Sequence, residues 1–424
     1  MTDPLADLFR REAGRLHAIL VARYGAPQLP LVEDAVQDAM VAAIRRWPRD
    51  GWPANPRGWL FRTACNALID RMRRARFERV ETELVQQQLD ARPAELDLDP
   101  EPDTTAQNGA QLYDDELLRL IAYCCAPELP AASRLTLTLR YACGLGIDEI
   151  ARALLCEPST IAQRLVRAKR ELRSVGVVPE LPDPESLDDA RLDAMLQAIY
   201  LLFDAGYLNE RGADWLRPAL CEDAVRLARL LATHSATSRP SSRALAALLC
   251  LCAARLPARI DADGRPVTLE RQDRALWRQD LVSEGFRHLA SSIAGEVVSR
   301  YHIEASIAAV HARAARFEDT DWAEIVSYYD QLCLLYPSPV ATLNRAIAAA
   351  QLGEPAAAMQ SLRDSAAIRG MHGTSAYHAT VAHLHEALGE RDLAARAYRD
   401  AAAASQSPAM RELLLQRAEI SEPR

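Results

Sequence analysis

The chain has 424 residues, a formal charge of -8 and 49% hydrophobic residues; at roughly 100–200 residues per domain, this length makes two to four domains. With 25% charged residues beside that apolar content, a wholly disordered chain is excluded. Its apolar runs, such as Ala244–Ala254, are too short to cross a bilayer, and acids and arginines interrupt Met1–Arg15, so no membrane segment or signal peptide is expected and the chain reads as cytoplasmic.

Apolar residues recur at three- and four-residue spacing almost throughout, Ala and Leu dominate, and β-branched alternation is scarce. This predicts an all-α fold. The first predicted unit spans residues 7–77. Its stretch Val41–Val80 holds ten arginines against Asp50, Asp70 and Glu78, a local balance of +7 in an acidic protein. An amphipathic helix leads from Glu33 to Trp47, followed by a turn rich in proline (Pro48, Pro53, Pro56). A second helix occupies Asn55–Phe77, with Trp59, Leu60, Ala64, Ala67, Leu68 and Met72 as its apolar stripe. Arg62, Arg71, Arg73, Arg74 and Arg76 fall on its outer face. Aromatic rings and guanidinium planes on one helix suit single-stranded DNA, because both stack on unpaired bases while the charge follows the phosphates. A plain helical core with a solvated arginine face would show the same letters.

Residues 78–113 are expected to be a flexible linker. Glu81–Leu117 carries eleven carboxylates against Arg92, together with Pro93, Pro100, Pro102 and the polar run Asp103–Gly109. A compact helical unit follows over residues 114–175. Within it, Ile147, Ile150, Ala151 and Leu154 mark a short helix, and Leu155–Pro158 a tight break. Ser159 is placed to cap a second helix whose Ile161, Leu165, Ala168 and Leu172 face inward. Its outer face presents Gln163, Arg164, Arg167, Lys169, Arg170 and Arg173, and Lys169 is the chain's one lysine. This is the layout of a helix-turn-helix, whose second helix enters the major groove of duplex DNA. The turn has Leu155 where glycine is often found, and a helical hairpin with a solvated basic face would share the pattern.

A shorter linker at Pro179–Pro184 leads to a helical portion over residues 184–424. Early in it, Asp204, Tyr207, Asn209 and Glu210 gather at a glycine-containing turn; such residues commonly satisfy backbone donors, and a ligand role is the alternative. Gly353–Asp364 aligns with Gly389–Asp400 at an offset of 36 residues, each preceded by a helix ending in Leu-Gly, and Asp321–Pro337 reads as an earlier, degenerate second helix. Helix–turn–helix units of this length are a tetratricopeptide signature, and a short stack of them offers a concave surface to a protein partner. His372, His378, His383 and His385 lie close together but form no His-Glu-x-x-His helix, and there is no phosphate loop or nucleophile elbow. No enzyme activity, metal or cofactor is expected. The nine cysteines are odd in number and lack the paired spacing of a zinc site, so buried thiols in a reducing compartment are expected.

Taken in order, EDAVQDAMVAAIRRW (Glu33–Trp47), NPRGWLFRTACNALIDRMRR (Asn55–Arg74) and DEIARALL with STIAQRLVRAKREL (Asp148–Leu172) make the chain resemble the extracytoplasmic-function (ECF) sigma factors of bacterial RNA polymerase. The resemblance implies a sigma region 2 helical bundle and a sigma region 4 helix-turn-helix domain. It also implies a partnership with core RNA polymerase, through its β′ and β subunits, and with promoter DNA. On that likeness, Glu33, Asp34, Gln37 and Asp38 match the helix that grips the β′ clamp. Asn66, Asp70, Arg71, Arg73 and Arg74 match the segment that melts and holds the downstream promoter element. Thr160, Gln163, Arg164 and Arg167 match the helix that reads the upstream element. The acidic linker matches the connector that threads the RNA exit path. The C-terminal portion resembles the tetratricopeptide-like extension of an ECF subgroup, where a fused domain can take the place of a separate anti-sigma factor.

The acidic net charge favours this reading over a stand-alone helix-turn-helix regulator with a tetratricopeptide-like sensor, because the field of an acidic protein opposes tight duplex binding without help. A helical adaptor or hydrolase with no nucleic-acid role is the third alternative.

Overall fold

Among the described residues, helix follows helix and no strand forms; the one bridge pairs Ile260 with Pro266. The structure, a computed structural model, describes residues 4–83, 116–126, 128–154, 156–175, 188–208, 215–294 and 297–422. Most of the acidic linker, Leu155, the Pro179–Pro184 linker, and Asn209 with Glu210 lie outside these residues. The chain divides into two compact units, Met1–Ala198 and Ile199–Arg424.

In the first unit, α1 (Pro4–Tyr24), α2 (Leu29–Asp50) and α3 (Pro56–Glu83) pack on one another. Glycines at positive φ close the first two helices, Gly25 at 90° and Gly51 at 84°, where a side chain would be strained. Asn55 caps α3, its side-chain oxygen accepting from the Gly58 amide at 2.9 Å. Leu16, Leu20, Val32, Val36, Leu60 and Leu68 fill the core between the three helices. Trp47 sits at its end, its ring 5.0 Å from Trp52 and 5.5 Å from Trp59. The sequence pattern stops α2 at Trp47, yet the helix continues through Pro48 to Asp50. A proline in the last turn removes one amide bond without stopping the coil.

The same unit contains α4 (116–124), α5 (Ala131–Leu137), a wide turn at Thr138–Ala142, α6 (Ile147–Ala153) and α7 (Pro158–Val175). The wide turn is π-helical: the Cys143 amide bonds to the Thr138 carbonyl, five residues back, at 3.1 Å. Such a turn inserts one extra residue and swings the side chains after it to a new direction. Both α5 and α6 pack on α7, burying Ile161, Leu165, Ala168 and Leu172 as their spacing requires.

The division between units falls within α8 (Asp189–Tyr207). Beyond it run α9 (Pro218–Thr233), α10 (Pro240–Ala254), α11 (Gln279–Ser292), α12 (Arg300–Arg313) and α13 (Trp322–Leu335). These are followed by α14 (Pro339–Gln351), α15 (Pro355–Asp364), α16 (Ser375–Ala387), α17 (Arg391–Ala404) and α18 (Pro408–Ser421). Proline opens five of these ten helices (α9, α10, α14, α15 and α18), where its fixed φ suits the first turn and its missing donor costs nothing. Gly353 at φ 93° and Gly389 at φ 77° follow α14 and α16, and those two helices begin and end 36 residues apart.

The core of the second unit is α10, packed against α9, α11 and α12. Together with the turn after it, the stretch Pro240–Ala258 is 19 residues long and apolar enough to span a membrane by length and composition, although the shorter run Ala244–Ala254 suggested otherwise. It is 72% buried within the protein. Helix α11 approaches it closely at Gly285, where an added Cβ would lie 2.6 Å from Leu251 Cγ. Gly285→Val should therefore overpack this contact and destabilise the second unit by about 1–3 kcal/mol. Thermal unfolding followed by far-UV circular dichroism should show a midpoint lower by roughly 2–10 °C; an unchanged midpoint would mean that the two helices can separate freely.

Candidate functional site

Two basic faces emerge from the first unit. On α3, Asn66, Asp70, Arg73 and Arg74 are exposed, while Arg71 is half-buried. Arg71 turns back onto α2, donating to Asp38 at 2.6 Å and to Asp34 at 3.3 Å. A residue assigned to nucleic acid is thus joined to two assigned to a protein partner. On α7, Thr160, Gln163, Arg167 and Arg170 are exposed and Arg164 is half-buried. The outer edges of both faces are open to solvent. On α2, Asp34, Gln37 and Asp38 are exposed as well.

Glu33 differs from its neighbours on α2. It is 8% exposed and lies within the apolar stripe formed by Leu29, Val32, Val36 and Ala39. Its Oε1 accepts from Arg140 Nε at 3.0 Å, and its Oε2 from the Tyr141 hydroxyl at 2.8 Å and from Lys169 Nζ at 3.1 Å. The π-helical turn aims Arg140 and Tyr141 at this carboxylate, and Arg140 also donates to the Leu145 carbonyl at 3.1 Å. Burial pushes the Glu33 carboxyl up, but Arg140, the Tyr141 hydroxyl and Lys169 together hold it below the usual range. Burial and the Glu33 charge raise the Tyr141 hydroxyl. Lys169, expected on the outer basic face of α7, is instead folded inward as a donor to Glu33.

Helix α1 completes this region. A Cβ on Gly14 would lie 2.4 Å from the Ala142 carbonyl oxygen, so the backbones of α1 and the wide turn touch where glycine alone fits. His17 stands edge-on to Tyr141, with ring centroids 5.4 Å apart. Spacing had singled out none of Gly14, His17, Arg140 or Tyr141. The one available signal was an acid at the helical position of a buried stripe, Glu33 itself.

The second unit contains a cavity of about 1200 Å³ whose lining includes Tyr200, Arg300, Glu304, His311, Trp322 and Tyr329. Arg300 donates to Glu304 at 2.8 Å and lies 4.7 Å from the centre of the Tyr200 ring. Burial, Arg255 and Arg274 lower His311 to about 3. Asp204 and Tyr207 also line the cavity. The four clustered histidines take separate partners: His383 meets Gln351 at 3.1 Å, His385 meets Glu390 at 2.6 Å, and His372 and His378 pack against Tyr377. Among the described residues no three ligand side chains gather around a metal-sized site. All nine cysteines are free, five of them buried.

Sigma-70 region 2 matches residues 8–78, and Sigma-70, region 4 matches residues 119–172. ECF RNA polymerase sigma factor SigM of Mycobacterium tuberculosis is 30% identical over 166 residues, covering 39% of this chain and 74% of that protein. The chain belongs to the ECF sigma factor family. The ECF RNA polymerase sigma factor SigE of Mycolicibacterium smegmatis is 28% identical over 167 residues, 39% of this chain and 59% of its own length. An uncharacterized protein of Rhizobium meliloti reaches further, at 40% identity over 333 residues, 78% of this chain and 76% of that protein. Residues 191–293 match a family of unknown function, DUF6596. No solved structure matches significantly. In this ECF sigma factor, therefore, both basic faces lie on sigma regions, and the Glu33 cluster joins region 2 to region 4.

That cluster carries a pH signature. Burial, reinforced by Arg140 and partly offset by Glu33, lowers His17 to about 4, against 6.5 when unfolded. The unfolded chain then binds the proton more readily, so stability falls as pH drops from 6.5 to 4, by up to about 3 kcal/mol. The Glu33 contribution has the same sign, being lost as pH falls below the ordinary carboxylate range. Hydrogen exchange in peptides covering Leu16–Val21, corrected for intrinsic rates, should speed up between pH 7 and pH 5. His17→Leu should flatten that dependence; a wild-type response preserved in the variant would place its origin elsewhere.

Proposed function

We propose that this ECF sigma factor directs core RNA polymerase to a promoter and initiates transcription there, with its second unit acting as a built-in regulatory and protein-binding domain. The observation that carries the reading is the pair of exposed cationic faces, one on each sigma region. Arg73 and Arg74, exposed on α3 beside Asn66 and Asp70, would hold the melted downstream element with them. Thr160, Gln163, Arg164 and Arg167 on α7 would read the upstream duplex, base edges meeting the first turns and phosphates the later arginines. Asp34, Gln37 and Asp38 offer a solvated acidic face to the β′ clamp, and Arg71 steadies α3 against it. A factor that takes most of its DNA affinity from polymerase does not need net positive charge, which accords with the formal -8.

For the second unit, matched helix pairs 36 residues apart and a cavity of about 1200 Å³ support a tetratricopeptide-like stack that receives a protein partner. Placement in the cytoplasm follows from this role.

Reconstituted transcription tests the proposal. Purified core polymerase with this chain should initiate from a defined promoter, and neither should do so alone. Replacing Gln163 and Arg167 with Ala should reduce upstream-element binding roughly 5- to 100-fold. Replacing Arg73 and Arg74 with Ala should leave that binding intact and reduce promoter opening, read by permanganate reactivity of unpaired thymines. Tight, salt-sensitive duplex binding without polymerase, and no initiation with it, would favour a stand-alone regulator.

A further inference from the structure

We infer that the cavity of the second unit is a binding site for a small aromatic carboxylic acid, the acid group held by Arg255, Thr268 and His311 and the ring laid against Phe317 and Trp322. All five side chains line the cavity, whose volume is about 1200 Å³. That is slightly more than the roughly 300–1,000 Å³ of most small-molecule clefts. The inference goes beyond the proposed function: the ligand is neither promoter nor protein partner, and binding it does not require polymerase.

Donors outnumber acceptors at one end of this cavity. Arg255, just after α10, directs Nε to the Gln272 amide oxygen at 3.3 Å, and Gln272 in turn donates to the Val267 carbonyl at 3.1 Å. That bridge ties the segment carrying Thr268 to the guanidinium group. Among the described residues no carboxylate pairs with Arg255. Thr268 Oγ1 and His311 Nδ1 are buried there without a hydrogen-bond partner, which is costly until an acceptor arrives. The other lining arginines are engaged: Arg300 donates to Glu304 at 2.8 Å, and Arg417 lies 3.7 Å from Glu270. Arg274 donates to the His311 and Ala314 carbonyls at the end of α12. Burial and the Arg255 charge lower Arg274 from its ordinary value, and burial with both arginines keeps the His311 ring neutral. A neutral imidazole can still donate from Nδ1. An anion beside Arg255 would offset the repulsion among these groups, whereas an ammonium would add to it.

The wall next to His311 is aromatic. The His311 ring stands 5.5 Å from that of Trp322, and Phe317 stands 5.2 Å from Trp322. A flat apolar body matches such a wall, and a carboxylate, which only accepts, matches a cluster of donors.

Naphthoate and its uncharged amide, naphthamide, are probes of nearly equal shape that differ in charge. Each is titrated into the full-length protein, without polymerase, and followed by saturation-transfer NMR. Naphthoate should bind with a Kd of about 0.1–1 mM, the strength a ligand of its size can reach. It should bind at least about 10-fold more tightly than naphthamide, whose neutral group leaves Arg255 unpaired. Arg255→Gln should bring the two probes to within about 2-fold of each other. Thr268→Val, a near-isosteric change, should weaken naphthoate about 2- to 10-fold, and it carries the comparison if circular dichroism shows Arg255→Gln to be unfolded. Trp322→Leu should weaken both probes alike. Equal binding of the two probes by wild type, tighter binding of the cationic naphthylmethylamine, or no naphthoate binding at about 5 mM would each overturn the site. So would naphthoate affinity that is unchanged in the folded variants. A chain that initiated no transcription would overturn the proposed function and leave these titrations to decide the site by themselves.

Discussion

A single carboxylate in a nearly dry place organises the first unit. An isolated ionised Glu33 would cost several kcal/mol to bury, so its position is tenable only while Arg140, Tyr141 and Lys169 reach it together. The backbone is arranged to make this so. The extra residue of the wide turn directs Arg140 and Tyr141 toward α2, and the missing side chain at Gly14 lets α1 lie against Ala142. Removing any one partner leaves the others with a buried charge to satisfy. The relation between the two sigma regions therefore depends on this buried carboxylate and its donors together with the close fit at Gly14.

The second unit is held differently. Its inner helix, α10, is alanine, leucine and cysteine from Ala244 onward and is buried along nearly its whole length. Its neighbours come from nearby in the chain, and proline starts with positive-φ glycine ends keep the connections short. Ion pairs such as the fork of Arg229 on Glu284, at 2.6 Å from Nε, tie helices at the edge of this core. Small residues permit close approach, and the approach excludes water. Packing of this kind makes a firm frame around the cavity lined by Tyr200, Arg300 and His311.

Much of this was legible in the sequence, and the exceptions share a cause. The stripe Ile161, Leu165, Ala168 and Leu172 is buried as its three- and four-residue spacing requires, and Arg73 and Arg74 stand outward as their place opposite Leu60, Ala64 and Leu68 requires. Periodicity reports which face of a helix is dry, because that depends on neighbours a few residues away. It does not report what arrives to cover that face. Lys169 falls between the buried and solvated sides of α7, and its long stem carries the ammonium to a partner 136 residues earlier in the chain. Arg71 likewise bends from the basic face to Asp34 and Asp38. Long cationic side chains are the residues whose destinations local pattern decides least.

The greasiness of α10 has a price during synthesis. As the nascent chain leaves the ribosome, a stretch as oily as a bilayer-crossing segment emerges with α9 already made to pack on it, and further cover, α11 and α12, is completed at Arg313. For the time needed to translate some sixty further residues, a few seconds at bacterial speeds of about 20 per second, that surface is a target for chaperones and for the translocation machinery. The arginines at its two ends, Arg239 and Arg243 at the start and Arg255 and Arg259 at the finish, put cations on both sides and give it no preferred orientation for insertion.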